Sequence, residues 1–256
     1  MSLALARAGL LLFVVLLWEL LWIRGLPAYI LGPFEILKHF FAALGSTELY
    51  GDIGASLMRS VPGFAIGAVL GSALGLAAGI SHVLDRMLSP MIFLSYPVPK
   101  IVMLPLFMLW FGIGDISKIL IIALACFYPT FINAYYGAKS TPKILVWSAL
   151  NLGASPWRVF CRVVVPSALP LIFAGLRVSL ALSYIVMFAA EMINADSGLG
   201  HLIRVAESGL RFDLMYVSLL SIAILGYLSD SLLRVTRTRL LTWQELDASA
   251  GSYPLF

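Results

Sequence analysis

Apolar residues run along this chain in long blocks, separated by short breaks rich in polar residues, proline and glycine. The blocks cover residues 8–23, 60–80, 88–111, 119–136, 169–190 and 214–233. A helix that crosses the hydrocarbon core of a bilayer needs about 20 predominantly apolar residues. The pattern therefore predicts an all-α, polytopic membrane protein with about six transmembrane helices. The expectation is one transmembrane domain over residues 1–256, with a hairpin at 140–168 between the fourth and fifth spans.

The first block follows Arg7 without a small-residue cleavage site, so it reads as an uncleaved span. Glu19 lies near its far end between Trp18 and Trp22, residue types that favour the bilayer interface. Residues 33–44 read as an amphipathic surface helix, and 45–52 as a polar loop. In the second block Gly63, Gly67, Gly71, Gly75 and Gly79 recur every four residues. That small-residue spacing lets helix backbones approach closely, either within the chain or against a second copy.

Residues 81–87 read as a short loop. The third block is interrupted by Pro97-Val98-Pro99-Lys100, where the helix must kink or break. Broken backbone at membrane depth is tolerated only where protein or a wet cavity satisfies it. The fifth block carries Arg177, the sixth Asp230, and 191–211 read as a polar, glycine-bearing connection that begins at Glu191.

The longest polar break, residues 140–170, reads as two short helices joined by an elbow. Thr141 and Ser155 stand at N-cap positions, each followed by a proline (Pro142, Pro156) where a missing N–H is harmless. Gly153 lies where a left-handed C-cap is needed. The second helix carries Arg158 and Arg162 four residues apart on one face, and Pro166 is expected to end it.

Composition narrows the class. With 61% hydrophobic and 12% charged residues and a mean hydropathy of +0.98, the chain is not a soluble globular domain. Its net charge of +4 sits in the connections and does not signal nucleic-acid binding. Six spans place both termini on one side, with nine cations including Arg158, Arg162 and Arg237 against six on the other. The excess puts hairpin and termini in the cytoplasm. Cys126 and Cys161 lie in unlike surroundings and predict no disulfide.

Signatures of catalysis are missing. No phosphate-binding G-x-x-x-x-G-K-[ST] run is present, so the chain is not expected to hydrolyse nucleotide by itself. His39, His82 and His201 lie in three different connections and lack metal-ligand spacing. Ser81, His82 and Asp85 crowd into one loop without triad geometry. The expectation is a transport subunit with no catalytic residue, metal or cofactor.

Several segments then resemble a known family. Ala149-Leu-Asn-Leu-Gly153-Ala154-Ser155, Val163-Val-Val-Pro166-Ser-Ala-Leu-Pro170 and Gly175-Leu-Arg177 are similar to the cytoplasmic EAA loop of ABC importer permeases. Pro97-x-Pro99-Lys100, Leu109-Trp110-Phe111-Gly112-Ile-Gly114 and Glu191-Met with Ser197-Gly198-Leu199-Gly200 extend the likeness in order along nearly the whole chain. It is strongest to the subfamily importing sulfonates, taurine, nitrate and related compounds. The departure is Trp147, with Ser148 after it, where the family motif begins with glutamate and alanine.

The resemblance implies an inner-membrane permease that forms a translocation path as a dimer of two copies. It also implies cytoplasmic ATP-binding subunits and an extracytoplasmic substrate-binding protein. Trp147, Ala149, Gly153, Ala154, Ser155, Trp157, Arg158 and Arg162 would then contact the ATPase. The implied substrate is a small organic anion such as an aliphatic sulfonate; nitrate, an aromatic carboxylate or a pyrimidine-type compound are alternatives, and a stand-alone secondary transporter is a further one. Lys100, Arg177 and Glu191 are candidates for the path. Intramembrane ionisable groups tend to face a wet cavity or a partner, although Lys100 also suits the freed carbonyls at the break and Arg177 the interface.

Overall fold

The computed structural model describes residues 2–27 and 29–242, and the described residues form helices and turns without strands. The helices are α1 (Ser2–Ile23), α2 (Pro33–Ala43), α3 (Thr47–Ile80), α4 (His82–Ser95), α5 (Leu104–Phe111), α6 (Asp115–Lys139), α7 (Lys143–Asn151), α8 (Pro156–Val159), α9 (Val165–Ile193), α10 (Leu199–Ser208) and α11 (Phe212–Leu240). Among the described residues, five helical stretches are long and apolar enough to cross a membrane, or six if the bent pair around the proline break is one span.

Two compact units are distinguishable, Met1–Leu57 with Glu191–Ile224, and Met58–Ala190 with Leu225–Phe256. In the second unit α6 is the central helix, with 56% of its most apolar window buried. The glycine stripe explains one side of it. A Cβ added at Gly63 would lie 2.7 Å from Ile122 Cβ, at Gly71 2.6 Å from Phe127 O, and at Gly79 2.6 Å from Ala138 Cβ. The rising numbers on both helices mean that α3 and α6 run parallel, backbone against backbone, and that α6 occupies the glycine face. On its other side α6 meets α9 antiparallel. Gly137 abuts Ala168, Gly175 abuts Asn133, and the Thr130 and Ser179 hydroxyls share a hydrogen bond of 2.7 Å. Leu76, Ala134, Ala138, Val164, Ala168 and Ile172 form the buried cluster where the three helices converge.

In the first unit Glu19 of α1 accepts the Phe34 N–H at 3.3 Å, at the start of α2. Tyr216 of α11 donates to the Tyr29 carbonyl at 3.3 Å.

The structure revises several expected boundaries. Residues 45–52 are not a loop throughout, because α3 starts at Thr47 and Ser46 Oγ accepts the Leu49 N–H at 3.5 Å. Nor are 81–87, because Ser81 caps α4 by accepting the Leu84 N–H at 3.4 Å. Short polar residues that looked like linkers are helix caps. The 191–211 connection contains α10. Thr141 does not cap the hairpin; the N-cap of α7 is Pro142.

Pro166 does not end a helix either. From Pro156 to Ile193 the chain is continuously helical, with a π turn at Phe160–Val164 immediately before it. Val165 N–H bonds to Phe160 O, five residues back. A widened turn holds back the carbonyl that a proline ring would otherwise strike, so helix and proline coexist.

Candidate functional site

The hairpin of residues 140–170 projects from two helices that are packed against each other. It leaves the last turn of α6 and returns into α9, and α6 and α9 contact directly at Gly137 and Ala168. Its elbow is Gly153, with φ +83°, a conformation that side-chain-bearing residues adopt at a cost. Ala154 N–H bonds to Ala149 O at 3.0 Å and Gly153 N–H to Leu150 O at 2.9 Å, closing α7. Ser155 Oγ then accepts the Arg158 N–H at 3.4 Å and starts α8, with Pro156 at the first turn.

The hairpin carries large apolar side chains outward. Trp147, Leu152 and Trp157 are 58%, 89% and 72% exposed, and Arg158 and Arg162 are exposed beside them. Trp157 is braced by Phe160, with ring centroids 5.4 Å apart. Aromatic and arginine side chains gathered on a small, stiff projection are the composition of a protein-binding anchor. Cys161 on this segment is exposed and unbridged, while Cys126 is buried.

At the foot of the hairpin, Asp85 of α4 joins α6. Its carboxylate accepts from Lys139 Nζ at 2.8 Å, from Tyr135 Oη at 2.7 Å and from Ser89 Oγ at 2.7 Å, and Lys139 also meets Tyr135 Oη. At the other end of α4, Ser95 Oγ and Tyr128 Oη lie 3.0 Å apart. So α4 is fastened to α6 at both ends. Beyond Ser95 the chain turns by 93° into the segment that starts at Lys100.

Lys100 stands inside that bend. Its ammonium donates to Ser95 O at 2.7 Å, Tyr96 O at 3.0 Å and Val98 O at 2.6 Å, and lies 4.1 Å from the Tyr128 ring centroid. It satisfies carbonyls at the bend, among them Ser95 O, which Pro99 has no N–H to bond. A cavity of about 310 Å³ opens beside it, walled by Tyr96, Lys100, Tyr128, Ile185 and Val186.

The other two path candidates lie elsewhere. Arg177 pairs with Asp230 of α11, Nε to Oδ1 at 2.7 Å, and Asp230 also takes Arg234 at 3.1 Å. Glu191 is fully buried and accepts from Ser56 Oγ at 3.0 and 2.9 Å and from Gly200 N–H at 2.9 Å. Ser56 Oγ in turn accepts Leu199 N–H at 2.9 Å, and Asp52 accepts Gly198 N–H at 2.7 Å. These three side chains satisfy the open N-terminal end of α10. Lys100, Arg177 and Glu191 are thus not brought together.

Residues that the pattern did not single out are Ser56, Tyr128 and Lys139, and Asp85, set aside with Ser81 and His82, instead joins α4 to α6. Arg59, a buried cation like Lys118, pairs with Asp115 at 2.6 Å where α6 begins. The signal for Asp85 was present in its spacing from Ser81 and Ser89, one turn to either side on the same helix face.

Residues 63–241 match the family model described as the binding-protein-dependent transport system inner membrane component. The chain is 35% identical over 236 residues to the putative aliphatic sulfonates transport permease protein SsuC of Escherichia coli, covering 90% of this chain and 88% of that one. It is 33% identical over 222 residues to the taurine transport system permease protein TauC of Escherichia coli, covering 85% and 81%. It is 34% identical over 236 residues to the riboflavin transport system permease protein RibX of Chloroflexus aurantiacus, covering 91% and 88%. Among solved structures, an inward-facing form of the MetNI methionine ABC transporter has a similar fold. Its TM-score is 0.63 at 19% identity, covering 76% of this chain and 94% of that one.

Proposed function

The chain belongs to the family of binding-protein-dependent transport system inner membrane components, and from that premise we propose that it forms the translocation path of an ATP-driven importer. Two copies line the path, two cytoplasmic ATP-binding subunits hydrolyse the nucleotide, and an extracytoplasmic binding protein delivers the substrate. Hairpin and termini face the cytoplasm, following the excess of cations on that side.

The observation that carries this reading is the stiff hairpin with its exposed Trp147, Trp157, Arg158 and Arg162. A groove in the ATPase seats this projection, and because its ends are α6 and α9, motion of the ATPase is passed into the spans as rigid-body displacement. Trp147 takes the place of the motif's glutamate, so docking there rests on an aromatic surface rather than a carboxylate. Ala149 and Ala154, bonded across the elbow, keep the two short helices close.

The substrate we propose is a small organic anion of the aliphatic sulfonate class, taurine included, in line with the relatives SsuC and TauC. Of the path candidates Lys100 has the best support, since its charge stands at a cavity wall. Arg177 and Glu191 serve the path by fixing α9 against its neighbours. A flat aromatic substrate is the second reading, favoured by Tyr96 and Tyr128 at that same cavity and by the relative RibX.

The test is uptake into vesicles holding the chain, its ATP-binding subunits and its binding protein. Gly153→Leu, and Arg158→Glu combined with Arg162→Glu, are expected to leave the protein in the membrane and abolish ATP-driven uptake. Undiminished uptake in both variants would sink the coupling role. Competition among taurine, an alkanesulfonate and riboflavin then decides between the substrates.

A further inference from the structure

A cavity of about 560 Å³ lies behind the hairpin, with Asp85 and Lys139 in its lining. One wall is apolar: Val146 and Leu150 of α7, Val159 of α8, and Phe160 and Val164 of the π turn. The polar part of the lining is His82, Asp85, Lys139, Thr141 and Lys143.

Two of these polar groups are unpartnered among the described residues. Thr141 Oγ1 is buried and makes no hydrogen bond. Lys143, exposed at the start of α7, makes no ion pair. Asp85 is matched by Lys139 at 2.8 Å, so its charge is answered within the chain. The polar lining then holds one uncompensated cation beside one idle buried hydroxyl. A buried polar atom without a partner is rare enough in folded proteins to call for a ligand or water.

The position is as informative as the chemistry. The cavity is bounded by Gly79 and Ile80, where apolar α3 ends, and by Ala138 and Lys139, where apolar α6 ends. Helix ends of this kind lie where hydrocarbon gives way to headgroups, and basic pockets between membrane helices receive anionic headgroups there.

We propose that this cavity is a binding site for one anionic phospholipid, its phosphate held by Lys143 and Thr141 and an acyl chain laid along Val146, Leu150, Val159, Phe160 and Val164. The occupant fills the space between the hairpin and the ends of the spans, so it stiffens the hairpin's attachment. The assignment does not depend on the transport reading, since binding is measured without ATPase or substrate.

The experiment uses the full chain in nanodiscs of phosphatidylcholine, with or without phosphatidylglycerol, and separately with free dodecanoate. Native mass spectrometry counts retained molecules, and thermal unfolding gives Tm. The wild type is expected to retain one phosphatidylglycerol and to unfold at a higher temperature with it. Lys143→Gln and Thr141→Val are each expected to weaken retention roughly ten-fold, the effect of one lost charge-assisted contact. In pure phosphatidylcholine, Thr141→Val is expected to be no less stable than the wild type, because its hydroxyl loses no partner. Equal retention of the two phospholipids, wild-type retention by both variants, a lower Tm of Thr141→Val in phosphatidylcholine, or capture of dodecanoate in place of the phospholipid would each overturn the assignment.

Discussion

Lys139 Nζ lies 2.8 Å from the Asp85 carboxylate, which ties the last turn of α6, just before the hairpin, to the first turn of α4. At its far end α4 is tied again, by Ser95 and Lys100 against Tyr128. If the hairpin moves during transport, these two fastenings on one short helix are expected to hand its displacement to the bend at Pro97–Pro99. Asp85→Asn weakens the first. In the reconstituted importer it is expected to lower uptake per ATP hydrolysed by roughly five-fold or more, within the usual range of coupling between sites. ATPase activity and the amount of protein in the membrane should persist. The exchange Asp85→Lys with Lys139→Asp should recover much of the loss, and failure of that rescue with Asp85→Asn fully coupled would refute the relay.

Glu191 is set to behave as a stability residue. Glu191→Ala leaves the Ser56 hydroxyl and the Gly200 N–H without their acceptor inside the protein. The expected loss is about 3 kcal/mol, the range for truncating a buried, hydrogen-bonded charge. Thermal unfolding in detergent would read it as a fall in Tm of several degrees. A variant that unfolds normally yet no longer transports would instead make Glu191 a wall of the path.

Lys100→Met releases three carbonyls at the proline bend and should destabilise the chain by about 2 kcal/mol. Uptake kinetics separate its two roles. A cap alone lowers the maximal rate and leaves KM for the anion unchanged, whereas a cationic path wall raises KM as well. Lys100→Arg keeps the charge but not the compact ammonium, so it should retain the anion's KM better than it retains stability.

Gly71→Ala places a methyl carbon 2.6 Å from Phe127 O, where no side chain can give way. Overpacking of this kind costs about 1–3 kcal/mol. Yield of monodisperse protein and Tm should both fall, and Gly71→Leu should yield none. The equivalent change at Gly226, which has open space around it, is expected to have little effect.

Much of this architecture was legible before any coordinates. The apolar blocks mark the long helices, the four-residue glycine spacing marks the face that meets α6, and Ser155-Pro156 marks the start of α8. What escaped was set by partners far away in sequence. Ser56 and Glu191 are 135 residues apart, and nothing near either reveals the other. Prolines are a second case. Pro166 looks like a terminator because an α-helix has no room for its ring, but a widened turn supplies that room. The stretches 45–52 and 81–87 look like loops because capping and linking use the same side chains. Lys100 stands out in the sequence beside a break, but its three carbonyl acceptors depend on how sharply the chain bends.

The π turn at Phe160–Val164 has a consequence for heredity as well as for geometry. A π turn amounts to one extra residue in an α-helix, and each residue advances the helix by about 100°. Deleting one residue there would let the helix close its ordinary ladder with the hairpin facing much the same way, whereas a residue lost elsewhere between Pro156 and the body of α9 would swing the hairpin around the axis by about that angle. The direction in which Trp157 and Arg158 point is thus stored in the length of the chain rather than in any side chain. Substitutions along the segment are expected to be forgiven far more readily than a single in-frame codon gained or lost outside the π turn.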